Sequence, residues 1–121
     1  MSLMGDFRRI LGLKGEDLAC KFLRKKGLKV LERNFRTDMG EIDIVAMDGE
    51  TVVFVEVKTR TRTDKGWPEE AVDRDKLRKI EASGRVFLRY LKMPYKGWRI
   101  DIISIENTSG SPKITRHIEG V

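Results

Sequence analysis

The 121 residues carry 25 Lys and Arg against 19 Asp and Glu, a formal charge of +6 with a pI near 9.6, and 36% charged beside 40% hydrophobic residues. A chain of this length and balance reads as one globular domain, 1–121, able to bury about two-thirds of its unfolded surface, and neither disordered nor fibrous. Apolar stretches far short of about 18 residues argue against a membrane helix, Asp6, Arg8 and Arg9 fall where a signal peptide is expected to be apolar, and the lone Cys20 leaves no disulfide framework within the chain, so a cytoplasmic setting is expected.

The opening Met1-Ser2-Leu3, ahead of a second methionine, carries no weight. From Gly5 to about Lys26 the pattern is helical, with Ala19, Phe22 and Leu23 at spacings of three and four and Gly27 as the stop. Gly12 and Gly15 leave open whether the helix begins there or near Lys14. Residues 28 to 36 alternate weakly and read as an edge strand. Residues 40 to 60, GEIDIVAMDGETVVFVEVKTR, read as two strands folded over Asp48-Gly49. With that pair as the turn, Met47 faces Glu50, Asp43 faces Phe54 and Glu41 faces Glu56. Asp43, Glu56 and Lys58 then share a face with Glu41, and Ile42, Ile44, Val53, Val55 and Val57 share the other.

After Arg60 comes a polar loop. Pro68, with Glu69 and Glu70 behind it, opens a second helix whose stripe is Val72, Leu77, Ile80, Phe87, Leu88 and Leu91, ending near Pro94. Gly84 within the stripe marks close packing on the sheet. WRIDIISIE, 98 to 106, reads as a strand buried on both faces, and a last strand covers 113 to 118 after the turn residues Ser109 to Pro112. The order α-β-β-β-α-β-β describes an α/β fold, a mixed sheet with flanking helices.

Two acids across a hairpin repel, so a half-buried strand holding Asp43 and Glu56 needs a cation between them. Lys58 in a plain salt bridge is one answer. The other is Mg2+ or Mn2+, hard ions that take carboxylate oxygens and keep water ligands for a phosphate. In a basic protein that arrangement suits phosphodiester hydrolysis, with Lys58 positioning water or offsetting charge. Glu16 lies on the stripe of the first helix, facing the sheet or at its edge. Lys and Arg gather in blocks that either favour a polyanion, nucleic acid above all, or form solvated faces. Arg33, Arg36, Arg60, Arg62 and Lys76 are the expected phosphate contacts, although Lys76 also has apolar neighbours to lie along. Trp67 reads as a packing anchor or a base-stacking group, and His117, the lone histidine near the C-terminus, as a surface residue.

The spacing Asp43 to Glu56-Val57-Lys58 resembles the PD-(D/E)XK motif of the restriction-endonuclease-like superfamily. With Gly15-Glu16-Asp17, Arg33-Asn34-Phe35-Arg36, Gly40-Glu41-Ile42-Asp43 and Phe54 to Arg60, nearly the whole chain resembles the YraN family of small bacterial proteins, a family similar to Holliday junction resolvases. The resemblance implies a restriction-endonuclease-like core, with Asp43 and Glu56 as metal ligands and Lys58 as the catalytic lysine. It also implies Glu16 as a helix-borne acid near the metal, branched DNA as substrate, and a homodimer to cut paired strands. Ile42 stands where the motif's name has proline, and Lys76 where many active relatives carry glutamine. The expected function is a metal-dependent endonuclease. The alternatives are a nucleic-acid-binding module of the same fold that does not cleave, and a protein-protein adaptor.

Overall fold

Alternating apolar strands and two amphipathic helices leave one arrangement that hides all their oily faces: a sheet with a helix on each side. The computed structural model describes residues 3–60, 74–108 and 111–121 and has this form. Helix α1 (Leu3–Lys25) is followed by strands β1 (Lys29–Thr37), β2 (Gly40–Asp48) and β3 (Thr51–Arg60), helix α2 (Arg74–Tyr90), and strands β4 (Gly97–Thr108) and β5 (Ser111–Ile118). The five strands lie in chain order, antiparallel except for β3 and β4. That parallel pair requires a crossover, and α2 supplies it. Arg62, Trp67, Pro68, Glu69, Glu70 and Val72 lie outside the described residues.

Helix α1 covers one face of the sheet with Ala19, Cys20 and Leu23 against Ile44, Ala46, Val53, Val55, Ile103 and Ile105. It runs helically through Gly12 and Gly15, and Gly15 has a local reason: a Cβ there would stand 2.9 Å from Thr59 Oγ1. The other face packs Val45, Met47, Val52, Phe54 and Ile100 against Ile80 of α2, with the rings of Phe35, Phe54, Phe87 and Trp98 in mutual contact. Gly84 does mark close packing, since a Cβ would lie 2.6 to 2.9 Å from the Phe54 ring.

Two details of the hairpin differ from expectation. The pairs run from Asp48↔Thr51 to Ile44↔Val55, so the loop is Gly49-Glu50 and the register is displaced by two residues. Asp43 is level with Glu56, where Phe54 was expected. The cause is the turn: Gly49 takes φ +60° and Glu50 does not, the pattern of a type II′ hairpin with glycine first, whereas Asp48-Gly49 would have forced Asp48 into the left-handed region. Side-chain parity survives a shift of two, so the faces hold from Ile44 onward.

They do not hold at Ile42, which packs under α2 while Ile44 packs under α1. In β1 the same exchange separates Arg33, bound to α1, from Phe35, packed edge-to-face with Phe87. Between them, opposite Asp43, Asn34 sits at φ +53°, the one non-glycine in the left-handed region among the described residues. Both strands therefore roll over at the level of Asn34 and Asp43. Beyond this level β2 keeps its pairing with β1, β3 keeps its pairing with β4, and β2 and β3 no longer pair. The sheet forks there.

Candidate functional site at the fork of the sheet

The fork opens where the sequence concentrates charge. Asp43 sits on one side and Glu56, Val57 and Lys58 on the other. With no ladder bond available past Val55, the Asp43 carboxylate takes one over: Val57 N–H donates to its Oδ2 at 2.8 Å. Glu56 is buried, its side chain 6% exposed, and two ammonium groups reach the same oxygen. Lys76 Nζ of α2 lies 3.0 Å from Glu56 Oε1, and Lys58 Nζ lies 3.8 Å from it. The hydrogen bond to Glu56 raises the Lys76 pKa, so Lys76 stays charged at neutral pH.

The Asp43 pKa is shifted upward. Burial, then the charge of Glu56, with smaller contributions from Glu16 and Glu41, pushes it from 3.8 to about 7, against the opposing pull of the Val57 N–H. The folded chain therefore keeps a proton that the unfolded chain has released between these values, and stability falls as pH rises through that window. Asp43→Asn is expected to raise the unfolding free energy by about 1–3 kcal/mol at pH 8 and to converge with the parent near pH 4. Urea denaturation at both pH values checks this, and a variant no more stable at pH 8 would contradict it.

Glu16 approaches from α1. Its Oε1 is buried without a hydrogen bond, and Arg33 Nη2 stands 3.5 Å away while Arg33 Nη1 donates to Asp17 at 2.7 Å. Arg33 is thus a tie between β1 and α1. Arg36 is 77% exposed and lies 3.6 Å from Glu41, the residue expected to face Glu56. Arg60 ends β3, half-buried and level with Glu106 of β4. Arg62 lies outside the described residues.

The acids gather around Asp43 without closing on one point. Among the described residues, the one trio of Asp, Glu, His or Cys ligand atoms within 4.8 Å of one another is Asp101, His117 and Glu119. Asp43, Glu56 and Glu16 form no such trio, as expected of like charges without an ion between them. They do fit a hard divalent cation in kind: all donors are carboxylate oxygens, one is an orphaned buried atom, and one is a carboxyl that burial and the charge of Glu56 push up to about 7.

The second cluster lies beneath α1, with Asp101 level with Val55. Its donors could hold a metal ion, yet Asp101 is already saturated. Arg99 Nε and Gly120 N–H donate to Oδ1 at 3.0 Å, and Arg99 Nη2 and His117 Nε2 reach Oδ2 at 3.3 and 2.8 Å. Burial alone would raise the Asp101 carboxyl, and these donors, led by His117, outweigh it and hold it below the ordinary value. Lys26 Nζ stands 2.8 Å from His117 Nδ1, so with Lys26 donating as an ammonium the ring carries its proton on Nε2. The expectation of a surface histidine is corrected: the His117 side chain is 2% exposed, packed edge-on to Phe22 and bonded to a buried acid. Its partner comes from the neighbouring strand, beyond the reach of sequence spacing. The one legible signal was Asp101 itself, a charge inside an isoleucine-rich strand.

No helix among the described residues is long and apolar enough to cross a membrane. Residues 15–105 match the family described as "Uncharacterised protein family UPF0102". Relatives called UPF0102 protein include one from Pseudarthrobacter chlorophenolicus, 42% identical over 93% of this chain and 85% of its own. Another, from Persephonella marina, is 46% identical over 85% and 89%. A third, from Desulfitobacterium hafniense, is 41% identical over 98% and 100%. The chain belongs to the UPF0102 family.

Proposed function

We propose that this UPF0102 member is a metal-dependent endonuclease that hydrolyses DNA phosphodiester bonds. The observation that carries this reading is the forked sheet, which sets Asp43 and Glu56 on opposite prongs with Lys58 and Lys76 on the Glu56 oxygen. Asp43 and Glu56, with Glu16 behind them, are the residues that would hold Mg2+ or Mn2+. Such an ion, when bound, polarises a phosphate and lowers the pKa of its water. The chain's own groups do the rest. Lys58, 24% exposed beside Glu56, is within reach of a phosphate at the fork and offsets charge on its oxygens. Arg36, Arg60 and Lys76 rim the same end of the sheet and give sequence-independent attraction to a phosphate backbone. Branched DNA as the substrate, and a homodimer to cut it, are supported by the resemblance to resolvases alone.

A second reading has its own observation. Lys76 already neutralises Glu56 at 3.0 Å, as it would in a nucleic-acid-binding module that keeps the charges without cleaving. Incubating the protein with linear, nicked and four-way DNA in Mn2+ separates the two. The endonuclease cleaves at least one substrate and loses that activity in Asp43→Ala. The module cleaves none while binding DNA with an affinity that falls steeply with salt.

A further inference from the structure

We infer that Lys76 is a resident cation of the proposed site, holding the Glu56 oxygen that an entering divalent ion needs and leaving it when the ion binds. This rests on the reading of Asp43 and Glu56 as metal ligands. The geometry behind it is asymmetric. Glu56 Oε1 belongs to a buried carboxylate on a central strand, whereas Lys76, near the start of α2, is 47% exposed on a flexible stem. Lys58 reaches the same oxygen from 3.8 Å, but it is half as exposed and issues from the same strand as its partner.

A metal ion bonded to a carboxylate oxygen sits about 2.1 Å from it. An ammonium 3.0 Å from that oxygen then faces a doubly charged ion at close range, and the two repel. One of them must move, and the exposed Lys76 has solvent to move into. A phosphodiester arriving at the fork offers the displaced ammonium a new anion. Lys76 then serves the carboxylate in the free protein and the phosphate in the complex, so metal and nucleic acid strengthen each other's binding. A neutral side chain here would leave Glu56 open to the ion at all times.

The test is calorimetric titration of the full chain with Mn2+ alone, comparing the parent with Lys76→Met and Lys76→Arg. Lys76→Met is expected to bind Mn2+ about tenfold more tightly, a difference of about 1.4 kcal/mol. Lys76→Arg, which keeps the cation, is expected to bind no more tightly than the parent. Thermal unfolding gives a readout without activity: Mn2+ should raise the melting temperature of Lys76→Met more than that of the parent, by mass action on the folded state. Equal or weaker Mn2+ binding by Lys76→Met, with binding lost in Glu56→Ala, would overturn the competition and leave the metal site standing. Absence of Mn2+ binding in every variant would overturn both.

Discussion

Asp101→Ala is expected to lower the free energy of unfolding by about 3 kcal/mol, a large part of the roughly 5–15 kcal/mol that holds a domain together. Asp101 is fully buried, and its carboxylate is the shared acceptor for Arg99, His117 and the Gly120 N–H. Removing it strands a 2%-exposed imidazole and one arm of a guanidinium, and it frees the chain end that Gly120 and the Val121 bond to Ile100 fasten down. Arg99 keeps Asp48 at 3.0 Å and Glu119 at 3.8 Å, which keeps the loss from being larger. The carboxyl is depressed in the fold, so its contribution is present above the unfolded value near 3.9 and lost as pH falls below it. The gap between parent and variant should therefore close on acidification. Urea midpoints at pH 7 and pH 3 measure it, and a loss under about 1 kcal/mol at pH 7 would show that the network contributes no more than surface pairs do.

Glu56→Gln and Lys58→Ala are expected to reduce the proposed DNA cleavage by about 100- to 1,000-fold, the range for removing one preorganised hydrogen-bond donor from a reacting centre. Their effect on stability should have a different sign pattern from that of Asp101. Glu56 is the charge neighbour that contributes most to raising Asp43, so neutralising it relieves repulsion even as it deprives Lys58 and Lys76 of a partner. Glu56→Gln should stay within about 1 kcal/mol of the parent at pH 7, because opposite effects of similar size offset each other. Activity lost at nearly constant stability is the mark of a group kept for chemistry. Initial rates in Mn2+ on whichever DNA the parent cleaves decide the matter. Rates within twofold of the parent in both variants would remove Glu56 and Lys58 from the chemistry.

The element order and the pairing of an acid-bearing strand with the Glu56-Val57-Lys58 strand were legible in the sequence because each follows from local period and local turn residues. Gly84 was legible for the same reason, as a gap in an apolar stripe. The register was not: Asp48-Gly49 and Gly49-Glu50 are both good two-residue turns, and the choice depends on which residue takes positive φ. Nor was the exchange of faces at Asp43, because alternation assumes an unbroken pleat and Asn34, a strand away, breaks it. His117 was misjudged because its acid is 16 residues distant in sequence and adjacent only once β4 and β5 pair. The convergence of Lys76 on Glu56 likewise needs α2 laid across the sheet. Sequence spacing placed Lys76 at the rim of a helix, between a phosphate contact and packing along apolar neighbours, and gave no sign of a carboxylate partner.

The fork is the central claim, and a crystal soaked in Mn2+ and measured at the manganese absorption edge tests it most directly. The expected result is an anomalous peak about 2.1–2.3 Å from carboxylate oxygens of both Asp43 and Glu56, with Lys76 moved off Glu56. A peak bounded instead by Asp101, His117 and Glu119, or none between Asp43 and Glu56 at saturating Mn2+, would contradict it.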